Sequence, residues 1–238
     1  MTIEFRHVDK RTRKTIAPVT FKDLNLSISE KDRTALLGDA GSGLDAIVDL
    51  ICGADAPDSG EIIRDAAISW PIPDTSFMHR HLSFEANANF IARLYGVEKK
   101  TFLSRVIEMA AVEDLLLERV DHCPRAALSR FAFSLGVCLP FDLYVITNTG
   151  IGEKQDRERF SAIIEEIGRK SGILLAASNG RAAQEFCDKA FVLDTGRLIY
   201  YDDIDAAVEH FESLDAKRPG EEETEFMDEA EREVRDDF

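Results

Sequence analysis

Three short runs of consecutive apolar residues constrain this chain most: Leu143–Ile146, Ile173–Ala177 and Ala190–Leu193. Runs of four or five residues with no polar alternation are too short for helices. They fit strands covered on both faces, as in a parallel sheet flanked by helices. Between the first two runs, Phe160, Ile163, Ile164 and Ile167 recur at i, i+3, i+4 and i+7, the apolar face of a helix. Strand, crossover helix and strand in repetition predict an α/β fold around a sheet buried on both sides.

The same reading extends along the chain. Ile3, Phe5 and Val8 alternate as in a half-buried strand, and Arg11–Pro18 reads as a basic hairpin loop before a second strand at Phe21–Ile28. A strand at Arg33–Leu37 precedes a helix at Leu44–Cys52 closed by Gly53, and Pro57-Asp58-Ser59-Gly60 marks a turn. Short strands are expected at Glu61–Ile63 and Ala66–Trp70. The middle is helical: Ser83 caps a helix through Tyr95, ended by Gly96, and Lys100–Ala110 and Ala126–Leu139 follow. This stretch, about 80–138, reads as an insertion into the sheet. Gly196 turns the chain into a strand at Arg197–Tyr201, and Ile204, Val208, Phe211 and Leu214 line a last amphipathic helix. There is no internal repeat.

Charge excludes some functions. The 238 residues carry a net charge of −16. Such a chain is a poor ligand for nucleic acid, which needs a clustered cationic surface, and an anionic membrane repels it for the same reason. Ten acids and two bases lie between Glu221 and Phe238, which is half the excess. With only Phe226, Met227, Val234 and Phe238 as large apolar residues, this segment reads as a disordered acidic tail over 215–238, or a docking peptide. Cys52, Cys123, Cys138 and Cys187 are scattered, with no CxxC pair and no secretory leader, so structural disulfides are not expected. No apolar run reaches the ~20 residues of a membrane span. The expectation is a cytoplasmic protein, peripheral at the inner face of the cell membrane only through a partner.

One loop carries a chemical signature. Strand Arg33–Leu37 leads into Gly38-Asp39-Ala40-Gly41-Ser42-Gly43-Leu44-Asp45, and a helix follows. That order, with the Gly38-x4-Gly43 spacing, is that of a phosphate-binding P-loop, in which backbone N–H groups curl around an anion at a helix N-terminus. The next two positions call for Lys, for the β- and γ-phosphates, and Ser or Thr, for Mg2+; here they are Leu44 and Asp45. On the loop alone three readings stand: a structural relic, an unrelated glycine-rich turn, or a working phosphate site.

Other stretches carry a family resemblance. Phe21-Lys22-Asp23-Leu24-Asn25-Leu26 looks like the strand preceding a P-loop strand, and Pro57-Asp58-Ser59-Gly60-Glu61-Ile62 is similar to a common turn of ABC-transporter ATP-binding subunits. Ile68-Ser69-Trp70-Pro71 and Phe90-Ile91-Ala92-Arg93-Leu94-Tyr95-Gly96 resemble the branch that serves capsular and related polysaccharide exporters. Arg130-Phe131-Ala132-Phe133 and Phe141-Asp142-Leu143-Tyr144-Val145-Ile146 resemble the helix and strand around the Walker B site. The run Cys187-Asp188-Lys189-Ala190-Phe191-Val192-Leu193-Asp194-Thr195-Gly196-Arg197-Leu198 resembles the closing segment of such cassettes. The resemblance covers residues 1–214. It implies a P-loop NTPase-type ABC cassette: a mixed β-sheet core with a helical subdomain insert, followed by the tail.

The same frame implies that the chemistry has been lost. The Walker B strand should end in Asp, for Mg2+, then Glu, for the attacking water; Thr147 and Asn148 stand there. The switch histidine position after Ser178 is Asn179. The signature motif, which grips the γ-phosphate of the opposite subunit, reads Cys123-Pro124-Arg125-Ala126-Ala127 without a glycine. No aromatic lies within Lys10–Ile16 to stack on adenine, and no Q-loop glutamine is evident around Ser69–Pro71. One lost electrostatic clamp costs phosphoryl transfer about 10²–10³ in rate. Five have gone, at Leu44, Asp45, Thr147, Asn148 and Asn179, so negligible hydrolysis is expected even with strong non-additivity. Gly38, Ala40, Gly41, Ser42, Gly43, Leu44 and Asp45 then form a vestigial phosphate loop, with no catalytic residue and no metal ligand. No cofactor is expected, ATP binding being weak or absent and Mg2+ not held.

His79 and His81 read as surface histidines, since their i, i+2 spacing lacks further ligands. Trp70 reads as a packing residue beneath the helices, Ser178 is no nucleophile, and Cys123 reads as an ordinary thiol, although Arg125 nearby is of the sign that lowers a thiol pKa. Two functions fit: a non-catalytic subunit of a polysaccharide exporter, paired with a membrane subunit, a second cassette subunit or both; or a regulatory pseudo-ATPase detached from transport, which binds a soluble partner.

Overall fold

The computed structural model describes residues 2–12, 18–39, 41–147 and 154–215. The tail expectation therefore lies outside the described residues apart from Asp215, as does most of the expected hairpin loop.

The chain runs β1 (Thr2–Arg11), β2 (Thr20–Ser29), β3 (Arg33–Leu37), α1 (Leu44–Cys52) and β4 (Ser59–Arg64). Three helices follow, α2 (Phe84–Leu94), α3 (Lys99–Ala110) and α4 (Arg125–Val137), with two single 3-10 turns between α3 and α4. The remainder is β5 (Leu143–Ile146), α5 (Lys154–Gly168), β6 (Gly172–Ala177), α6 (Gly180–Phe186), β7 (Lys189–Asp194), β8 (Arg197–Tyr201) and α7 (Ile204–Asp215). A five-stranded sheet has the order β5-β6-β3-β7-β8, and a three-stranded antiparallel sheet the order β2-β1-β4. The first four strands of the larger sheet are parallel. β8 makes the sheet mixed, as expected: Thr195 (φ 44°) and Gly196 (φ 81°) make the two-residue turn that returns it antiparallel to β7.

The period of two in a strand explains the apolar runs. Ala35, Leu37, Tyr144, Ile146, Ile173, Leu175, Ala190 and Val192 enter one core with the helices α2–α7. Their neighbours Leu36, Leu143, Val145, Leu174, Ala176, Phe191 and Leu193 enter a second, which joins α1 and the antiparallel sheet. A strand sandwiched between two cores has no solvent face on which a polar residue would be favoured.

Local signals set the helix ends. The Ser83 hydroxyl accepts the Ala86 N–H at 3.2 Å, the expected cap of α2. Glu98 caps α3 by accepting the N–H groups of Lys100 and Thr101. Gly53, at φ 77°, closes α1, and the Arg64 guanidinium donates to the last carbonyls, Leu50 and Ile51. Phe84 and Phe131 stack at 4.3 Å between α2 and α4, joining the helices to one another. The expected strand at Ala66–Trp70 does not form. The Ser69 hydroxyl takes the Val145 N–H at 2.8 Å and Pro71 has no N–H to give, so pairing with β5 is reduced to isolated bridges at Ile68 and Ile72. No helix among the described residues is long and apolar enough to cross a membrane.

Candidate functional site

The glycine loop leaves the C-terminal end of β3, the central strand of the five-stranded sheet, the end at which ligands of open α/β sheets bind. Gly41 (φ 85°) and Gly43 (φ 87°) both adopt the left-handed conformation. Gly43 has a second reason to be glycine: a Cβ there would lie 2.6 Å from Cζ of Phe21, which is fully buried. The loop folds back on itself. The backbone N–H and the hydroxyl of Ser42 both donate to the Asp39 carbonyl, at 3.1 and 2.7 Å. The Leu44 side chain is half-buried and packs on the core shared by α1 and the antiparallel sheet. Asp45, in the first turn of α1, is exposed. Ala40 lies outside the described residues.

Two further loops reach the same end of the sheet. After β5, the Thr147 N–H donates to the Ile72 carbonyl at 2.8 Å and its hydroxyl donates to the same oxygen at 3.4 Å. Asn148 lies outside the described residues. After β6, the Asn179 side chain accepts the Ala182 N–H at 3.4 Å and caps α6, a helix that the sequence reading missed because it is only seven residues long. An Asx cap two residues beyond a buried strand was the signal that pointed to it.

No protein-family model matches the chain. Relatives are nevertheless close. The polysialic acid transport ATP-binding protein KpsT of Escherichia coli is 31% identical over 195 residues, which is 79% of this chain and 88% of the relative. The chain belongs to the polysaccharide-export branch of the ABC-transporter ATP-binding subunits. The capsule polysaccharide export ATP-binding protein CtrD of Neisseria meningitidis serogroup B is 28% identical over 215 residues, covering 89% of this chain and 99% of that protein. A solved ATP-binding subunit of an ABC transporter superposes with a TM-score of 0.75 at 19% identity, over 91% of this chain and 100% of that one.

Within this cassette, the positions singled out in the sequence come together at one end of the sheet: Gly38 to Gly43 and Leu44–Asp45 after β3, Thr147 after β5, and Asn179 after β6. The cassette's α4 starts at Arg125 with Pro124 as its cap residue and no side-chain cap. Next to it, burial pushes the Cys123 thiol up, helped by the Glu118 and Asp121 carboxylates. Arg125 is not among the groups that set its pKa. The Cys123 thiol donates to the Arg119 carbonyl instead.

His81 and His79 take the surface role expected of them. The His81 ring lies 2.9 Å from Asp121, whose carboxyl is held below its usual range chiefly by the Arg119 guanidinium. No group of three or more metal-ligating side chains with a suitable arrangement occurs among the described residues. Trp70 packs, as expected, against Phe77, Tyr95 and Phe141 at 5.1 to 5.7 Å. The Phe90–Gly96 segment, singled out in the sequence by resemblance, also presents a surface. Phe90 and Leu94 are 60% and 65% exposed, one turn apart on α2 and beside exposed Tyr95. Their i, i+4 spacing opposite the buried Phe84, Ala88, Ile91 and Ala92 was the available signal.

Proposed function

We propose that the chain is a degenerate cassette subunit of a capsule-type polysaccharide exporter, unable to hydrolyse ATP itself and acting as a non-catalytic or partner-dependent subunit. The observation that carries this reading is the pair Leu44–Asp45: the first side chain is committed to the core and the second is an exposed carboxylate at the mouth of the glycine loop. This donor set does not fit magnesium triphosphate. A phosphate site needs cations and free N–H groups, yet the Ser42 N–H is used by Asp39, and the residue that should be lysine is leucine. Mg2+ held by a protein wants one or two carboxylates beside the phosphates, and Thr147 offers a hydroxyl already tied to Ile72.

Residues 1–214 act in this reading as one cassette, with the helices of about 80–138 as an insert that meets the membrane subunit and the tail outside it. Exposed Phe90, Leu94 and Tyr95 support a partner on the α2 face, because apolar side chains clustered in water favour association. Membrane contact would come only through that partner, at the inner face of the cell membrane, with a second cassette subunit supplying ATP turnover.

The test has two arms. Calorimetric titration of the purified chain with MgATP is expected to give no binding in the micromolar range. A tagged chain is expected to recover a polysaccharide-export membrane subunit from native membranes, and Phe90→Ser/Leu94→Ser is expected to abolish that recovery. Micromolar binding overturns the degenerate reading, and recovery of a soluble partner alone overturns the transport role.

A further inference from the structure

The loop before α2 and the turn before α4 are laced into a short strap. The Leu82 carbonyl accepts the Val120 N–H at 3.0 Å and the Arg80 carbonyl accepts the Asp121 N–H at 3.1 Å. Ser83, the cap of α2, forms an antiparallel bridge with Arg119. The strap carries a cluster of titratable side chains that neither the glycine loop nor the α2 face uses. Asp121 takes a forked pair from Arg119, Nε to Oδ1 at 3.0 Å and Nη2 to Oδ2 at 2.6 Å. The same Nη2 lies 2.6 Å from Nδ1 of His81, and that ring nitrogen lies 2.9 Å from Asp121 Oδ2.

Proton counting makes the two contacts of Nδ1 exclusive. An imidazole nitrogen holds either a lone pair or a proton. The Arg119 contact needs the lone pair, because a guanidinium only donates. The Asp121 contact needs the proton, because an ionised carboxylate only accepts. Asp121 is ionised wherever histidine titrates, since its carboxyl is held below the usual range chiefly by Arg119. A neutral His81 with its proton on Nε2 therefore satisfies the arginine, which then makes three hydrogen bonds. A neutral ring protonated on Nδ1 loses the arginine and gains no charge in exchange. A charged ring gives Nδ1–H to Asp121 and turns a like charge on the guanidinium, so Nη2 must leave both partners. The surrounding groups do not resolve the conflict. His122 Nε2 lies 3.9 Å from the other oxygen of Asp121, and the His79 ring centroid is 5.8 Å from that of His81. Arg80 and Glu118 flank the pair in sequence and are exposed, and α2 carries Glu85 in its first turn.

We propose that His81 is a proton-operated latch on Arg119: the neutral ring holds the arginine across the strap, and the charged ring takes Asp121 and releases the guanidinium to solvent. The latch sits where the chain enters both α2 and α4, so a proton changes the charge displayed between the two helix starts. The inference depends on neither nucleotide nor transport.

Nuclear magnetic resonance on the full chain tests it, from about pH 8 to about pH 5, the span in which histidine side chains titrate. Long-range proton–nitrogen correlations are expected to place the His81 proton on Nε2 at the high end and protons on both nitrogens at the low end. Carbon relaxation at Arg119 Cδ is expected to follow with the same midpoint, the order parameter passing from above about 0.6 to below it. His81→Asn keeps an acceptor oxygen but cannot titrate, and is expected to abolish the transition at Arg119. His79→Gln and His122→Gln are expected to leave it in place. A proton on Nδ1 at the high end, an arginine whose order does not follow His81, a transition that survives His81→Asn, or one lost with His79 or His122 would each overturn the latch.

Discussion

Replacing Gly43 by alanine puts a methyl group where the structure has no room for it. The residue sits at φ 87°, a region that costs an L residue roughly 1–2 kcal/mol. The added Cβ would lie 2.6 Å from Phe21 Cζ and 3.5 Å from Thr12 Cγ2. Phe21 is fully buried between the antiparallel sheet and α1, so relief requires repacking at about 1–3 kcal/mol more. The sum, about 2–5 kcal/mol, lowers Tm by roughly 4–20 °C in a chain of this size. Gly41→Ala is the control: φ is 85°, but nothing lies within 4 Å of the new Cβ, so only the backbone cost of about 1–2 kcal/mol applies. Thermal and urea unfolding of the two variants, with Phe21→Leu alone and combined with Gly43→Ala, make a double-mutant cycle. A coupling of at least about 1 kcal/mol, with Phe21→Leu softening the damage, is expected. Equal losses for Gly41→Ala and Gly43→Ala, or no coupling to Phe21, would refute the packing explanation. The result bears on function, because it gives the glycine loop a reason to exist without a bound phosphate.

Further outcomes follow from the same geometry. Asn179→Ala removes the cap of α6 and is expected to cost about 0.5–2 kcal/mol in denaturant unfolding. Leu44→Lys/Asp45→Thr supplies the missing cation and hydroxyl and is expected to raise MgATP affinity at least about tenfold in calorimetry, the scale of a single charge interaction across solvent. Glu98, whose carboxyl the Thr101 hydroxyl and then the Thr101 and Lys100 N–H groups hold down at about 2, stabilises α3 above the ordinary carboxylate range. The stability gap between the chain and Glu98→Gln is therefore expected to be full at neutral pH and to close as pH falls from about 4.5 toward 2.

Much of the fold was legible because its strands are buried on both faces. Apolar runs such as Leu143–Ile146 have only one reading once they alternate with amphipathic helices, and capping residues such as Ser83 fixed boundaries. Ala66–Trp70 misled for the converse reason. Its apolar residues promise a strand, but the Ser69 hydroxyl and Pro71 divert the ladder, and that depends on what lies opposite. Of the candidate site, an order of loops was legible in the sequence, and the parallel strands β3, β5 and β6 bring those loops to one end of the sheet. The resemblance put Leu44 and Asn179 at chemical positions; packing shows Leu44 half-buried against a core and Asn179 capping a helix. The Cys123 thiol shows the same limit. Arg125 is near in sequence, while Glu118 and Asp121 and partial burial set its surroundings.

The most direct test is phosphate release from MgATP by the purified chain with no other cassette present. On the proposed reading, in which Leu44, Asp45, Thr147 and Asn179 occupy the clamp positions, release indistinguishable from a protein-free blank is expected. Sustained turnover that scales with protein concentration, and is lost on Gly43→Ala, would contradict it.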